Sequence, residues 1–239
     1  MNLRKLYYLM LIIPLLFFYT GCSEDTVDPP VAVDETEVLV KYLEANGNPV
    51  TTFAKMITAE AVNANILSSA DQAIIDIRSA TDFANGHITG AVNVASTEVL
   101  SYYEANGLKD KATVVIVCYS GQTASWVNGL LNMMGYTNSS TLKWGMCSWN
   151  AATAGSWNSN INNSRATQFT TTATAKPAAG DLPELNTGKT SGVDILRARV
   201  EAIFAEGFSP ATLTSDAVYG NLSGYFISNY WFSIIWNYL

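Results

Sequence analysis

Histidine and basic residues are scarce in this chain, and their scarcity excludes whole classes of chemistry. One histidine, three cysteines and no Cys-x-x-C pair leave nothing with which to assemble a metal site at the usual spacings. No metal or other cofactor is therefore expected. Only 13 Lys and Arg stand against 20 Asp and Glu in 239 residues, a net charge of -7. An acidic chain without a basic patch is a poor fit for nucleic acid. Charged residues make up only 14% and apolar residues 49%, so the chain is neither disordered nor a coiled coil and has enough apolar side chains for a core. The N-terminal apolar run, Leu6–Tyr19, has 14 residues and is broken by Pro14. That is too short to span a bilayer comfortably.

What is present at the N-terminus reads as an address. Arg4 and Lys5 form a positive start, and the apolar run ends in Tyr19-Thr20-Gly21-Cys22. This resembles the signal sequence of bacterial lipoproteins, with cleavage before Cys22 and lipid attached to it. Tyr19 stands where the usual pattern has Leu. A plain signal peptide cut nearby and an uncleaved anchor are the competing readings. Residues 1–21 hold two bases and no acid, so the chain without them carries -9 instead of -7. Residues 22–36, with Asp28-Pro29-Pro30, read as a tether. The expected location is the cell envelope, on the outer side of a membrane. Cys118 and Cys147 then remain, free to pair as a disulfide or to act as nucleophile and resolving thiol.

From residue 37 onward the pattern alternates. Helical spacing at Glu37–Ala45, Ala59–Ile66, Thr81–Asn85, Thr97–Asn106 and Thr123–Met134 is interleaved with apolar runs at Ala73–Ile77, Ala91–Val94 and Thr113–Cys118, and Thr137–Leu142 can hold one more strand. Thr58 is a good N-cap. The continuous apolar run Val114–Val117 fits a strand covered on both faces. The expected fold is α/β, a parallel sheet flanked by helices on both faces. Trp149–Gly192 is rich in Ala, Ser, Thr, Asn and Gly, and reads as loop and linker.

The chemistry points to Cys118. It ends a β-branched strand, is followed by the polar loop Tyr119-Ser120-Gly121-Gln122, and precedes a helix. Loop amides and the positive helix end both favour negative charge there, which suits a thiolate. Gly121 has no side chain to block a close approach, and the Ser120 and Thr123 hydroxyls are placed to add hydrogen bonds. A buried, inert thiol is the bland alternative. A Cys-x5-Arg phosphatase is disfavoured, because position 124 is Ala and the bidentate phosphate clamp is missing.

Three segments together resemble the rhodanese family. The first is Ile74–Val94, with Asp76-x-Arg78, Phe83 and Gly86-His87-Ile88-x-Gly90-Ala91. The second is the strand and loop ending at Cys118–Thr123. The third is Gly135-Tyr136 followed by Leu142-Lys143-Trp144-Gly145-Met146 and Trp149, which matches Leu-x-Gly-Gly-x-x-x-Trp with one substitution. The resemblance covers about residues 56–150. It implies a rhodanese-like domain over 37–150 that moves sulfane sulfur through a persulfide on Cys118, with Tyr119, Ser120, Gly121, Gln122 and Thr123 cradling the substrate. Asp76, Arg78 and His87 are expected in supporting, structural roles. The partners implied are a small sulfur donor, a thiol acceptor and, through lipid on Cys22, a membrane. Many family members carry a basic residue in the loop. This loop has none, which leaves persulfides, polysulfides or other neutral donors open beside thiosulfate. A non-catalytic binding or scaffolding module is the alternative.

The tail holds an echo. Thr58–Val62 and Thr214–Val218 share Thr-x-[Asp/Glu]-Ala-Val, 156 residues apart, and Tyr225–Trp231 stands where the strand Ala73–Ile77 stood. This predicts a linker over 151–192 and a partial second rhodanese-like unit over 193–239, completed by a second copy of the chain as a homodimer.

Overall fold

Four consecutive side chains, Val114, Val115, Ile116 and Val117, have no solvent exposure at all. They form the middle of a parallel sheet in a computed structural model that describes residues 33–47, 55–168 and 180–227, with isolated positions between 172 and 178. The strands are β1 (Met56–Ile57), β2 (Gln72–Asp76), β3 (Ala91–Asn93), β4 (Thr113–Val117) and β5 (Ser139–Leu142). Their order is β1-β5-β4-β2-β3, and each neighbouring pair is parallel. Burying β4 on both faces is worth about 1.5–3 kcal/mol for each Val or Ile.

The alternation of β4 divides the core in two. Val114 and Ile116 face a larger core with Val127, Leu130 and Leu131 of α5 (Gln122–Met133) and Val99, Leu100 and Tyr103 of α4 (Val99–Ala105). Leu39, Tyr42 and Leu43 of α1 (Glu35–Ala45) pack against the same cluster. Val115 and Val117 face a smaller core with Val62 of α2 (Ala59–Leu67), Ile88 and Met146. Thr58 Oγ1 accepts from Ala61 N at 3.2 Å, as expected of an N-cap. The short α3 (Ala80–Asn85) joins β2 to β3 and starts at Ser79, whose Oγ accepts from Asp82 N at 3.1 Å.

Two boundaries differ from the sequence expectation. The tether was expected to run to residue 36, but α1 starts at Glu35, because Asp34 Oδ1 accepts from Glu37 N at 3.0 Å. Glu35 then accepts from Thr187 N, Thr187 Oγ1 and Gly188 N, each at 2.7 Å, so part of the expected linker is fastened to the start of α1. These donors hold the Glu35 carboxyl below its usual range, with the Thr187 hydroxyl foremost.

The second correction concerns residues 193–239. After the short α6 (Gly155–Asn160), the helix α7 (Gly192–Glu206) does not open a separate unit. Its Leu196, Val200 and Phe204 are buried in the same core as Val114 and Ile116. Arg197 clamps Glu104 of α4 at 2.5 and 2.9 Å, and Tyr136 Oη donates to the same carboxylate at 2.6 Å. From Asp34 onward the chain is one compact unit. The repeated motif is shared capping chemistry: Thr214 Oγ1 accepts from Ala217 N at 3.2 Å, as Thr58 does from Ala61, but α8 (Ser215–Gly220) buries no side chain. Tyr225–Ile227 form no strand, and the remainder of that expected strand lies outside the described residues. The expectations for residues 1–21 and Cys22 also fall outside them. No helix among the described residues is long and apolar enough to cross a membrane.

Buried polar groups tie α5 to the sheet. Asn132 Nδ2 donates to Ser139 Oγ at 3.1 Å, Ser139 Oγ donates to Asn128 Oδ1 at 2.7 Å, and Asn128 Nδ2 donates to Lys55 O at 3.1 Å. Thr141, two residues along β5, is 2% exposed and its hydroxyl has no partner among the described residues. Thr141→Val keeps the shape and removes that desolvated oxygen. It is expected to raise the unfolding free energy by about 1 kcal/mol, read from urea denaturation.

Folding also lowers the Glu104 carboxyl below the ordinary glutamate value, chiefly through the Arg197 hydrogen bonds. Its contribution is complete above the ordinary value and is lost as the pH falls through the lowered one. The thermal midpoint is expected to drop as the pH falls below about 4, and Glu104→Gln to make that drop shallower while lowering the midpoint at neutral pH.

Candidate active site

Strand β4 ends at Val117, and the next residue, Cys118, is 3% exposed. Its Sγ accepts from Gly121 N at 3.1 Å and from Ala124 N at 3.4 Å. The sulfur therefore sits at the N-terminus of the 12-residue α5, with the unpaired N–H groups of the first helical turn beside it. Both donors are backbone amides, so they are held in place by the loop and the helix start rather than by rotatable side chains.

The loop owes its curl to the segment after β5. Met146 N donates to Cys118 O at 2.8 Å, and Cys147 N donates to Tyr119 O at 3.0 Å. Gly121 takes φ +96°, with the Trp144 backbone 3.4 Å from where a Cβ would lie. Gly145 is packed tighter still: a Cβ there would overlap the Cys118 carbonyl oxygen and come within 2.8 Å of the Gly121 and Ser120 nitrogens. All three are backbone atoms of the loop, so nothing flexible can give way. Trp144, where the family pattern has glycine, also adopts a left-handed backbone, φ +64°. That conformation costs a bulky residue about 1–3 kcal/mol. Its exposed indole packs tilted against Trp157, with ring centroids 5.5 Å apart, and Lys143 Nζ lies 5.9 Å from its ring centroid.

On the other side, the Tyr119 hydroxyl donates to Asp82 Oδ2 at 2.5 Å and accepts from Ser79 N at 3.2 Å. Asp82 also accepts from Ser79 Oγ at 2.5 Å. The two hydroxyls, Ser79's before Tyr119's, hold the Asp82 carboxyl below its usual range.

Of the expected cradle residues, Gly121 supplies an amide to the sulfur. Tyr119 instead ties the loop to α3, and neither the Ser120 nor the Thr123 hydroxyl bonds the sulfur. Gln122 is exposed and opens the helix. Ala124, Gly145 and Asp82 were missed. Ala124 has no distinctive side chain and acts through its backbone. Gly145 was visible only as a letter in the closing motif, and Asp82 only as a helix-start acid.

Asp76 and Arg78 form a buried pair at the end of β2, with Arg78 Nη2 2.7 Å from Asp76 Oδ2 and 2.7 Å from Gly86 O. Asn93 Nδ2 bridges the Asp76 and Arg78 carbonyls at 2.8 and 2.9 Å. Ile77 N donates to Val117 O at 2.8 Å, which joins this rigid end to the residue before Cys118. The Arg78 cation is thus consumed by architecture. His87 donates from Nδ1 to Phe83 O at 2.8 Å and stacks on the Phe83 ring at 3.8 Å. Cys118 and Cys147 are both free thiols, and Cys147 Sγ lies 3.1 Å from Ser156 Oγ.

The site is thus a buried cysteine at the end of a central parallel strand, its sulfur held by amides of a loop that opens a helix, on an α/β scaffold. Residues 58–152 match the model of the rhodanese-like domain. A thiosulfate sulfurtransferase of Shewanella oneidensis is 33% identical over 81 residues, 34% of this chain and 78% of its relative. The uncharacterised protein YibN of Escherichia coli is 28% identical over 124 residues, 51% of this chain and 85% of that protein. A solved rhodanese-like domain protein from Staphylococcus aureus matches with a TM-score of 0.36 and 23% identity, over 40% of this chain and 91% of that one. The chain belongs to the rhodanese-like family, and a sulfurtransferase-type role is supported at the level of that family.

Gly145→Ala is expected to cut sulfur loading of Cys118 at least about tenfold, because the added methyl must displace the loop carbonyl and both nitrogens. Circular dichroism at the same temperature separates this from global unfolding.

Proposed function

We propose that the protein takes sulfane sulfur onto Cys118 as a persulfide and hands it to a thiol acceptor, on the outer side of a membrane to which lipid on Cys22 holds it. The observation that carries this reading is the Cys118 sulfur held by two backbone amides at the start of α5. The thiolate attacks the outer sulfur of the donor. A new S–S bond forms to Cys118 as the donor's own S–S bond breaks, and the bonding pair leaves with the departing group: sulfite from thiosulfate, a thiolate from an organic persulfide. The acceptor thiolate then attacks the outer sulfur and Cys118 leaves as thiolate. The sulfane sulfur is transferred at one oxidation level, so no external oxidant or reductant is needed.

The amide cradle supports both charged states. Donors that serve the thiolate serve the terminal persulfide anion as well. The near-complete burial of Cys118 favours donors whose reactive sulfur stands at a slender end. The absence of any basic residue in Tyr119–Thr123 favours donors of low negative charge.

The test is to incubate the mature protein with thiosulfate and with organic persulfides and to map the mass. A gain of about 32 Da is expected on the peptide containing Cys118 and is absent in Cys118→Ser. Folded protein that gains no sulfur from any donor overturns the reading. A Cys118→Ser variant with full biological activity assigns the site to binding or scaffolding instead. Membrane attachment is read separately: Cys22→Ala is expected to move the protein from the membrane to the soluble fraction.

A further inference from the structure

The charge held against the active loop is negative, and nothing in the loop offsets it. Asp82 meets the Tyr119 hydroxyl at 2.5 Å, and Tyr119 directly follows Cys118 in the chain. Arg78 is near enough to attract Asp82 electrostatically, yet its guanidinium is already committed to buried Asp76 and to Gly86 O. The three groups together, Asp76, Arg78 and Asp82, carry a net charge of -1 at the end of β2. A positive charge, Lys143, stands exposed just after β5, with its ammonium 5.9 Å from the Trp144 ring centroid. Lys143 is exposed and forms no ion pair among the described residues, whereas Asp82 is fixed by Ser79 and Tyr119.

Resting on the sulfur-transfer reading above, we propose that Asp82 is a specificity-determining residue: its fixed carboxylate, presented through Tyr119, selects against dianionic sulfur donors and leaves the site to organic persulfides of lower charge. A carboxylate acts on an approaching charge in proportion to that charge, so a dianion is opposed twice as strongly as a monoanion. The effect is partly screened at physiological salt, because the Debye length is about 8 Å. Asp82 touches neither the sulfur nor its amide donors. It biases which donor arrives, not how the S–S bond is exchanged.

The experiment compares loading rates of Cys118 from thiosulfate and from the persulfide of 2-mercaptoethanol, in wild type and in Asp82→Asn. Asparagine retains an oxygen to accept from Ser79 and Tyr119, so the latch geometry is preserved while the charge is removed. The ratio of the thiosulfate rate to the persulfide rate is expected to rise about three- to fivefold in Asp82→Asn at low salt, and the gain to shrink toward unity at 1 M salt. Tyr119→Phe, which removes the tether but keeps the charge, is expected to leave a smaller and more salt-sensitive change. Loading from both donors with an unchanged ratio in Asp82→Asn overturns the role of Asp82 and leaves sulfur transfer standing. A rise that persists undiminished at 1 M salt also overturns it, since it then has a steric origin. No loading from either donor in either protein overturns the sulfur-transfer reading itself.

Discussion

The hydrogen bond from Met146 N to the Cys118 carbonyl holds the two halves of the site in one register. β4 delivers Cys118, and β5 delivers the segment that braces it, so the loop is formed where two neighbouring strands end. Gly145 has to be glycine because its Cα lies against the loop backbone, and Gly121 takes the left-handed conformation that glycine adopts without strain. With the loop pinned from below, the Gly121 and Ala124 amides converge on one point, and the sulfur occupies it. Preorganised donors stabilise charge without reorganising as it develops, which is where such a cradle gains over water.

The surrounding fold exists to keep that point rigid. The buried Asp76–Arg78 pair is costly to desolvate and is compensated by hydrogen bonds from Arg78 to both Asp76 carboxylate oxygens and to Gly86 O, while Asn93 ties the flanking carbonyls. Through Ile77 N and Val117 O it stiffens the end of the strand that carries Cys118. On the opposite face, α7 fills the larger core with Leu196, Val200 and Phe204 and is locked by Arg197 onto Glu104. The chain thus contributes a C-terminal helix to cover its own sheet, beyond residues 58–152 that match the family domain.

Much of the scaffold was legible because local signals agreed with the tertiary outcome. The β-branched run before Cys118 became the central strand, Thr58 capped α2, and the periodicity of Thr123–Met134 predicted α5 to within a residue at each end. The loop around Cys118 was legible as a nucleophile site from its place between strand and helix. The buried Asn128–Ser139–Asn132 network was not, because asparagine in a helix reads as solvated unless a partner from another element is known. The role of α7 was misread for a related reason: a capping motif is local and repeats wherever a helix starts, whereas the surface a helix buries is set by distant elements.

The sequence by itself determined the strand–cysteine–glycine–helix order, the lack of charge in the loop, and the shortage of histidine and basic residues that excludes other chemistries. These are properties of residue type and spacing along the chain. Only the tertiary structure decided which amides reach the sulfur, that Gly145 bears on the loop from the segment after β5, that Arg78 is spent on Asp76, and that Asp82 stands beside Tyr119. Each of those pairs residues that the chain brings together through the sheet, and the energy of a hydrogen bond or an ion pair depends on a distance that no spacing in the sequence encodes.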